Sequence, residues 1–446
     1  GDTDVLGLTN VTVGAQADAN THSGVVTWDE SSYAVGDVAT VTVVDADLNT
    51  DNTIIETYVG DSSLTAGTDI FTIQCNDAVC STDVTVKLVE DGTDSDTFIG
   101  VFTVPDDIGE DMEIGYRDSR DGTGVATIWY ATSTINSTTG TVSLDRQVYP
   151  VPFDNNELKE GDNTNLDDFN GDGTTGDDGD VTVWVQVTDP DFTDDQLKAA
   201  TAPGTVNLIT SGTTTAIYTF GGNTASGTEL GPMTEIEQGS NVYEISFTVD
   251  ETQSSHQVLG GKTVIQVKYA DVNGDNGLST NVFDSSTFDL RNGELTADKS
   301  VYIMGQDMVL TLTDEDLNLD SDSAESYTMG LIEWDSSADS SSLLTNTSDF
   351  TSNPTTLEET GDSTGVFQTL VTIPTSVTST DLELGEEITL TYRDAGRAGE
   401  QQVAPSSSDT VSEDVELVVS ISNFGASISL DKTVYDWTDT VNIEVV

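Results

Sequence analysis

One pattern recurs along this chain in fixed order and leaves few folds open to it. An opening segment reads VVTWDESSYAVGD at 25–37, TVSLDRQVYP at 141–150, ELTADKSVYIMGQD at 294–307 and SISLDKTVYDWTD at 427–439, which sets Tyr33, Tyr149, Tyr302 and Tyr435 in equivalent places. A second segment ends in an acidic corner: VTVVDADLNTD at 41–51, VQVTDPDFTDD at 185–195 and LTLTDEDLNLD at 310–320. A late segment ends in Tyr-x-Asp: MEIGYRD at 112–118, VIQVKYAD at 264–271 and ITLTYRD at 388–394. Between the last two lies DTFIGVFTVP at 96–105 and STGVFQTLVTIP at 363–374, with VYEISFTV at 242–249 as the divergent middle copy. Four features in one order, returning at about one domain length, mark a tandem array.

Each segment alternates apolar and polar residues, as in Val181, Val183, Val185 and Val187 against Thr182, Trp184 and Gln186. That period of two puts one face on a core and the other in water, and the Gly/Asp/Asn/Ser clusters between segments supply turns. Helical periodicity is nearly absent, with one short candidate at Asp194 to Ala200. The expectation is an all-β chain of tandem immunoglobulin-like β-sandwich domains. The boundaries are 1–22 (the end of a preceding repeat), 23–139, 140–291 with acidic loop insertions, 292–424, and 425–446 (the start of a further repeat).

Charge narrows function. The chain of 446 residues holds 80 Asp and Glu against 13 Lys and Arg, a net charge of −67. A nucleic-acid partner needs a basic face to neutralise phosphates, which this composition excludes; cations, or surfaces bridged by cations, are the expected partners. Two histidines and two cysteines cannot furnish a three- or four-ligand His/Cys zinc site. His22 and His256 lie in polar stretches and are read as surface residues. No nucleophile elbow or histidine constellation appears, so an enzyme is not expected. No apolar run is long enough to span a membrane, and no leader signal is present.

The acidic corners are the leading site candidates, because calcium takes six to eight oxygens from carboxylates, carbonyls and water. Their acids are Asp45, Asp47 and Asp51; Asp189, Asp191, Asp194 and Asp195; and Asp314, Asp316 and Asp320. Two loops of the middle unit add D-x-N-x-D starts: DDFNGDGTTGDDGD, offering Asp168, Asn170, Asp172, Asp177 and Asp180, and DVNGDNG, offering Asp271, Asn273 and Asp275. Neither loop has a glutamate at its twelfth place or flanking helices, so they are calcium loops outside the EF-hand pattern. Calcium is the expected ion and magnesium the other candidate. The competing reading for all of them is solvated Asp/Asn turn chemistry.

Cys75 and Cys80 enclose a short loop between two strands, which a disulfide of an oxidising compartment would staple; two free thiols are the alternative. The tryptophans Trp28, Trp129, Trp184, Trp334 and Trp437 lie in or beside strands and suit core or inter-domain packing better than a sugar platform. Asn10, Asn136 and Asn346 stand in glycosylation sequons.

The tandem sandwiches, the acidic Lys/Arg-poor composition and the D-x-D-L-N-x-D and T-G-V-F signatures resemble archaeal surface-layer proteins, in particular those of Nitrosopumilus-type marine ammonia-oxidising archaea. That resemblance implies a secreted glycoprotein at the cell surface. It implies a homo-oligomeric, calcium-assisted, porous two-dimensional lattice as well. The charge adds cation enrichment, ammonium included, in the pores. A calcium-stiffened adhesin or stalk is the competing class.

Overall fold

The computed structural model describes residues 20–445 apart from 61–69, 77, 81–85, 154–158, 161–163, 166–167, 171–178, 193, 251, 276, 339, 345–348, 351–353, 395, 397, 400–412 and 424–427. Almost all regular structure among them is strand; the helical pieces are three single 3-10 turns. Gln196–Leu197, inside the one stretch with a helical cast, is a strand paired with Met233–Glu235. An edge ladder there satisfies backbone groups that seven residues of isolated helix would leave to water.

Three β-sandwiches follow one another with the same strand order. The first packs a five-stranded sheet (Val25–Trp28, Val38–Val44, Thr97–Thr103, Lys87–Glu90, Thr57–Val59) on a four-stranded one (Ser32–Tyr33, Thr127–Ile135, Asp111–Asp118, Phe71–Cys75). The second and third repeat this with two five-stranded sheets each. In every copy the opening strand splits. Its first half runs antiparallel in one sheet (Val25 opposite Val44), and its second half runs parallel to the last strand in the other (Tyr33 opposite Ile135). That split is an immunoglobulin-like arrangement.

The recurring Asp-x-x-x-Tyr of the opening segment explains where the split falls. The Tyr302 hydroxyl donates to Asp298 Oδ1 at 2.7 Å, and the same oxygen accepts the Val309 N–H of the next strand at 2.9 Å. Tyr149 and Asp145 repeat the clasp at 2.5 Å, with Trp184 N–H at 2.9 Å; Tyr33 and Asp29 form it with Thr40 N–H. A hairpin of Ile428–Leu430 with Ile443–Val445 carries it too, through Tyr435 and Asp431.

The inward residues of both sheets make the cores. Val181, Val183, Val185 and Val187 are all fully buried in the second sandwich, as the alternation requires. In the third, the core is built around Trp334, Tyr327 and Phe367, and two residues of the second sandwich's insertion, Phe153 and Phe169, join it. Phe169 stacks on Tyr327 at 5.8 Å between ring centres, and its carbonyl accepts the Thr328 N–H at 2.7 Å. Trp184 Nε1 donates to Asp320 at 3.0 Å, so this tryptophan serves the same contact. Trp28 and Trp334 pack in cores; Trp129 and Trp437 are exposed.

By compactness the described residues divide into one unit within 20–140, 189–191 and 271–280, and another within 141–188, 192–270 and 281–445. No helix of the described residues is long and apolar enough to cross a membrane. Cys75 and Cys80 are joined as a disulfide.

Candidate cation sites at the acidic corners

Each corner begins with an aspartate that turns the chain. Asp45 caps the 3-10 turn Ala46–Leu48, accepting the Asp47 N–H at 2.8 Å, and Asp314 caps Glu315–Leu317 in the same way at 2.8 Å. Asp189 accepts the Asp191 N–H at 3.0 Å. In the first and third corners the other carboxylate oxygen takes a tyrosine hydroxyl from the Tyr-x-Asp strand: Tyr116 to Asp45 at 2.6 Å and Tyr392 to Asp314 at 2.8 Å.

The aspartate of Tyr-x-Asp completes the group. Asp118, Asp271 and Asp394 accept the N–H of Gly24, Gly140 and Gly293 at 3.0, 2.8 and 2.7 Å. A glycine is needed at the first and last of these, because a Cβ would lie 2.4 Å from the Tyr116 ring and 2.8 Å from that of Tyr392. Two residues earlier, the N–H of His22, Thr138 and Arg291 binds the second corner acid, Asp47, Asp191 or Asp316, at 3.0, 2.9 and 2.8 Å. Each group therefore holds three carboxylates, and the first and last of each three (Asp45 and Asp118, Asp189 and Asp271, Asp314 and Asp394) are buried.

What balances that charge differs among the copies. At the first corner His22 Nδ1 stands 3.0 Å from Asp47 Oδ1, and this hydrogen bond raises the imidazole pKa. At the third, Arg291 stands 3.8 Å from Asp316. At the middle corner Thr138 fills that place and a fourth carboxylate, Asp275, arrives instead, accepting the Thr139 N–H at 2.5 Å. Burial, followed by Asp189, Asp271 and Asp275, pushes the Asp191 carboxyl up to about 6. Burial and then Asp394 raise Asp314, and burial and then Asp314 raise Asp316. Burial, then Asp118 and Asp47, raise Asp45 against the opposing Tyr116 hydroxyl.

The donor set fits a hard cation. Asp316 Oδ1 is buried with no hydrogen-bond donor, and the positive charge it faces is that of Arg291 at 3.8 Å. Among the described residues, one group of three His, Cys, Asp or Glu brings its ligand atoms within 4.8 Å of one another, Cys75, Cys80 and Asp107. Its sulfurs are spent in the disulfide. A cation at a corner must therefore draw the carboxylates closer than they stand.

The structure parts the third acid of each corner from the first two. Asp51 turns away to Thr53, Asp194 and Asp195 are exposed, and Asp320 serves Trp184. Asp118 and Asp394 take their place, and the recurring Tyr-x-Asp was the signal for them. Of the two middle loops, Asp271 and Asp275 come to the middle corner, and the Asn273 N–H binds Asp271 at 2.8 Å. Asp168 and Asn170 flank the buried Phe169, and Asp180 precedes the strand Val181–Thr188. Asp172 and Asp177 lie outside the described residues, as do Asn10 and Asn346, whereas Asn136 is exposed.

His256 departs from the surface expectation. It is 2 % exposed, its Nδ1 accepts the Asp250 N–H at 3.2 Å, and its ring packs on Tyr218 at 5.3 Å. The polar run around it folds back as a turn that closes over the imidazole, and a polar sequence does not disclose that.

Neither a protein-family model nor a curated protein matches the sequence. Among solved structures the chain is similar to the Escherichia coli adhesin FdeC, at 12 % identity over 92 % of this chain and 100 % of that one, with a TM-score of 0.20. It is similar also to the D1–D4 ectodomain fragment of ICAM-5 (9 % identity, 92 % and 80 % covered, TM-score 0.19). A third likeness is the Ig1–Ig3 ectodomain of mouse nectin-like molecule 4 (11 %, 89 % and 99 % covered, TM-score 0.24).

Proposed function

We propose that this chain is a structural component of a cell surface, self-assembling outside the cell into a porous, strongly anionic surface-layer lattice that hard divalent cations stiffen. The observation that carries the reading is the three-carboxylate corner built alike in three successive sandwiches of a chain with net charge −67. The middle corner, with Asp189, Asp191, Asp271 and Asp275 and no basic side chain in the place of His22 or Arg291, is the foremost calcium site. Asp45, Asp47 and Asp118, and Asp314, Asp316 and Asp394, are the others; magnesium competes through the same oxygens less well, because it demands a stricter octahedron.

Transport follows from crowding of fixed charge. At marine ionic strength the screening length lies between ~8 and ~3 Å, so one acidic face exerts little long-range field. Where assembly brings such faces across a narrow pore, counterions must fill it, and cations such as ammonium are enriched over anions.

A second reading, a calcium-stiffened adhesin or stalk, is favoured by the Phe169–Tyr327 contact, which ties two sandwiches together as a stiff rod requires. Electron microscopy of protein stripped with a chelator and returned to millimolar calcium separates the two. Ordered sheets that need calcium support the lattice; separate rods in both conditions overturn it in favour of the stalk. Equal permeation of ammonium and a similarly sized anion through such sheets overturns the enrichment.

A further inference from the structure

The solvent face of the first sandwich's five-stranded sheet departs from the rest of this acidic chain. Six of its outward residues, Val25, Val38, Val44, Val59, Val89 and Val101, are between 37 % and 64 % exposed. The remaining outward places hold threonines, Ile99 and Lys87. Strand pairing sets these side by side, with Val25 opposite Val44, Val89 opposite Ile99 and Val59 opposite Lys87. Among the described residues of these five strands, no outward place carries a carboxylate, although the chain has 80 in 446 residues.

The other sandwiches show that the fold does not impose this. At the places of Val25, Val38 and Val89, the third carries Glu294, Asp307 and Glu358 in the same pairings. The second carries Thr141, Thr182 and Thr234 there. Acids are accommodated at these places, and threonine suits a solvated strand as well as valine does. Three valines together therefore answer to something that covers them. Five strands about 4.8 Å apart and up to seven residues long make a face of about 500 Å², the size at which an apolar patch on a soluble chain marks a contact.

We infer that this face docks on the same face of a second copy, sheet against sheet across a twofold axis. Charge selects that occupant. Two copies at −67 each repel over most of their surfaces, and a face without carboxylates is where they approach without opposing like charges. A sheet face of valine and threonine is also its own complement under a twofold. Lys87, the one charge on the face, can lay its stem along the valines and send its ammonium toward the second copy's acids beyond the edge. The pair would bury about 1,000 Å² in total, the low end for a specific interface, so the contact is weak and reversible, as one of many in a sheet would be. It names a contact for the self-assembly proposed above and rests on that reading for its setting.

Sedimentation equilibrium of the full chain, kept calcium-free with a chelator, tests it at ~0.1 and ~1 M NaCl. The wild type should dimerise, more tightly at the higher salt, where repulsion is screened. Val25→Glu/Val89→Glu, which copies the third sandwich, should weaken the dimer about tenfold or more. Leu370→Glu, at the place of Val101 in the third sandwich, should leave it unchanged. If the acid variant fails to fold, Val25→Thr/Val38→Thr/Val89→Thr, which copies the second sandwich, replaces it and should also weaken the dimer. A wild type that stays monomeric at both salts, or a variant that dimerises as the wild type does, overturns the inference and leaves the face to another occupant. The lattice is scored apart, by electron microscopy with calcium. Sheets from a chain that is monomeric without calcium keep the lattice and overturn this contact; a dimer through this face that gives no sheets keeps the contact and overturns the lattice.

Discussion

The Tyr392 hydroxyl reaches Asp314 Oδ2 at 2.8 Å across the third sandwich, from the sheet that carries Asp394 to the corner that carries Asp316. Both groups are fully buried, so the bond has no water to replace it. Tyr392→Phe should lower stability by about 1–3 kcal/mol, the cost of leaving a buried acceptor without its donor. Tyr116→Phe should do likewise at Asp45. Urea denaturation curves check both, and unchanged midpoints would show that these carboxyls rely on other donors.

Thr138 holds the place where the other corners carry His22 and Arg291. Thr138→Arg should supply the missing positive charge and displace a cation, weakening calcium binding at the middle corner about tenfold or more, ~1.4 kcal/mol. The reverse change, Arg291→Thr, should strengthen binding at the third. Calorimetric titration reads both; equal affinities in wild type and Thr138→Arg would remove the middle corner from the list of sites.

Phe169 belongs by sequence to the second sandwich and by packing to the core of the third. Phe169→Ala should cost about 3–5 kcal/mol, as truncation of a buried aromatic does. It should also split one calorimetric transition, shared by the two sandwiches, into two. A single transition of unchanged midpoint would mean that the contact is dispensable.

His256 must stay neutral to accept the Asp250 N–H, and burial lowers its pKa, with Asp250 opposing. Asp250 and Tyr218 are the titratable groups that face it. The folded chain thus binds fewer protons at this site than the unfolded chain between the lowered value and ~6.5, so its contribution to stability rises with pH across that interval and is complete above it. Stability compared between wild type and His256→Gln over ~pH 5–8 should show a gap that narrows as the pH falls. A constant gap would leave the imidazole with packing alone.

Much of this architecture could be read from residues in line. The Val181 to Val187 alternation gives its sheet and its buried face, and the acid pairs Asp45/Asp47 and Asp314/Asp316 mark the corners, because local spacing dictates both. The partners of those acids could not be read so directly. Asp118 and Asp394 arrive on strands of the opposite sheet, about seventy to eighty residues on from Asp45 and Asp314, and only packing of the two sheets brings them there. Burial of Phe169 contradicts its surroundings of Asp, Asn and Gly; a lone aromatic in an acidic loop is the mark of such a plug.

The clasp between Asp431 and Tyr435 is already closed in a hairpin whose apolar residues, Ile428, Leu430, Ile443 and Val445, lie bare. Its bonds all fall within the twelve residues from Asp431 to Asn442. Repeats with similar strands run the hazard of pairing with a neighbour's strand while the chain is still being made. A knot tied within so short a stretch gives each repeat its own starting point before distant strands arrive, so that a chain emerging end first can sort its sandwiches one after another.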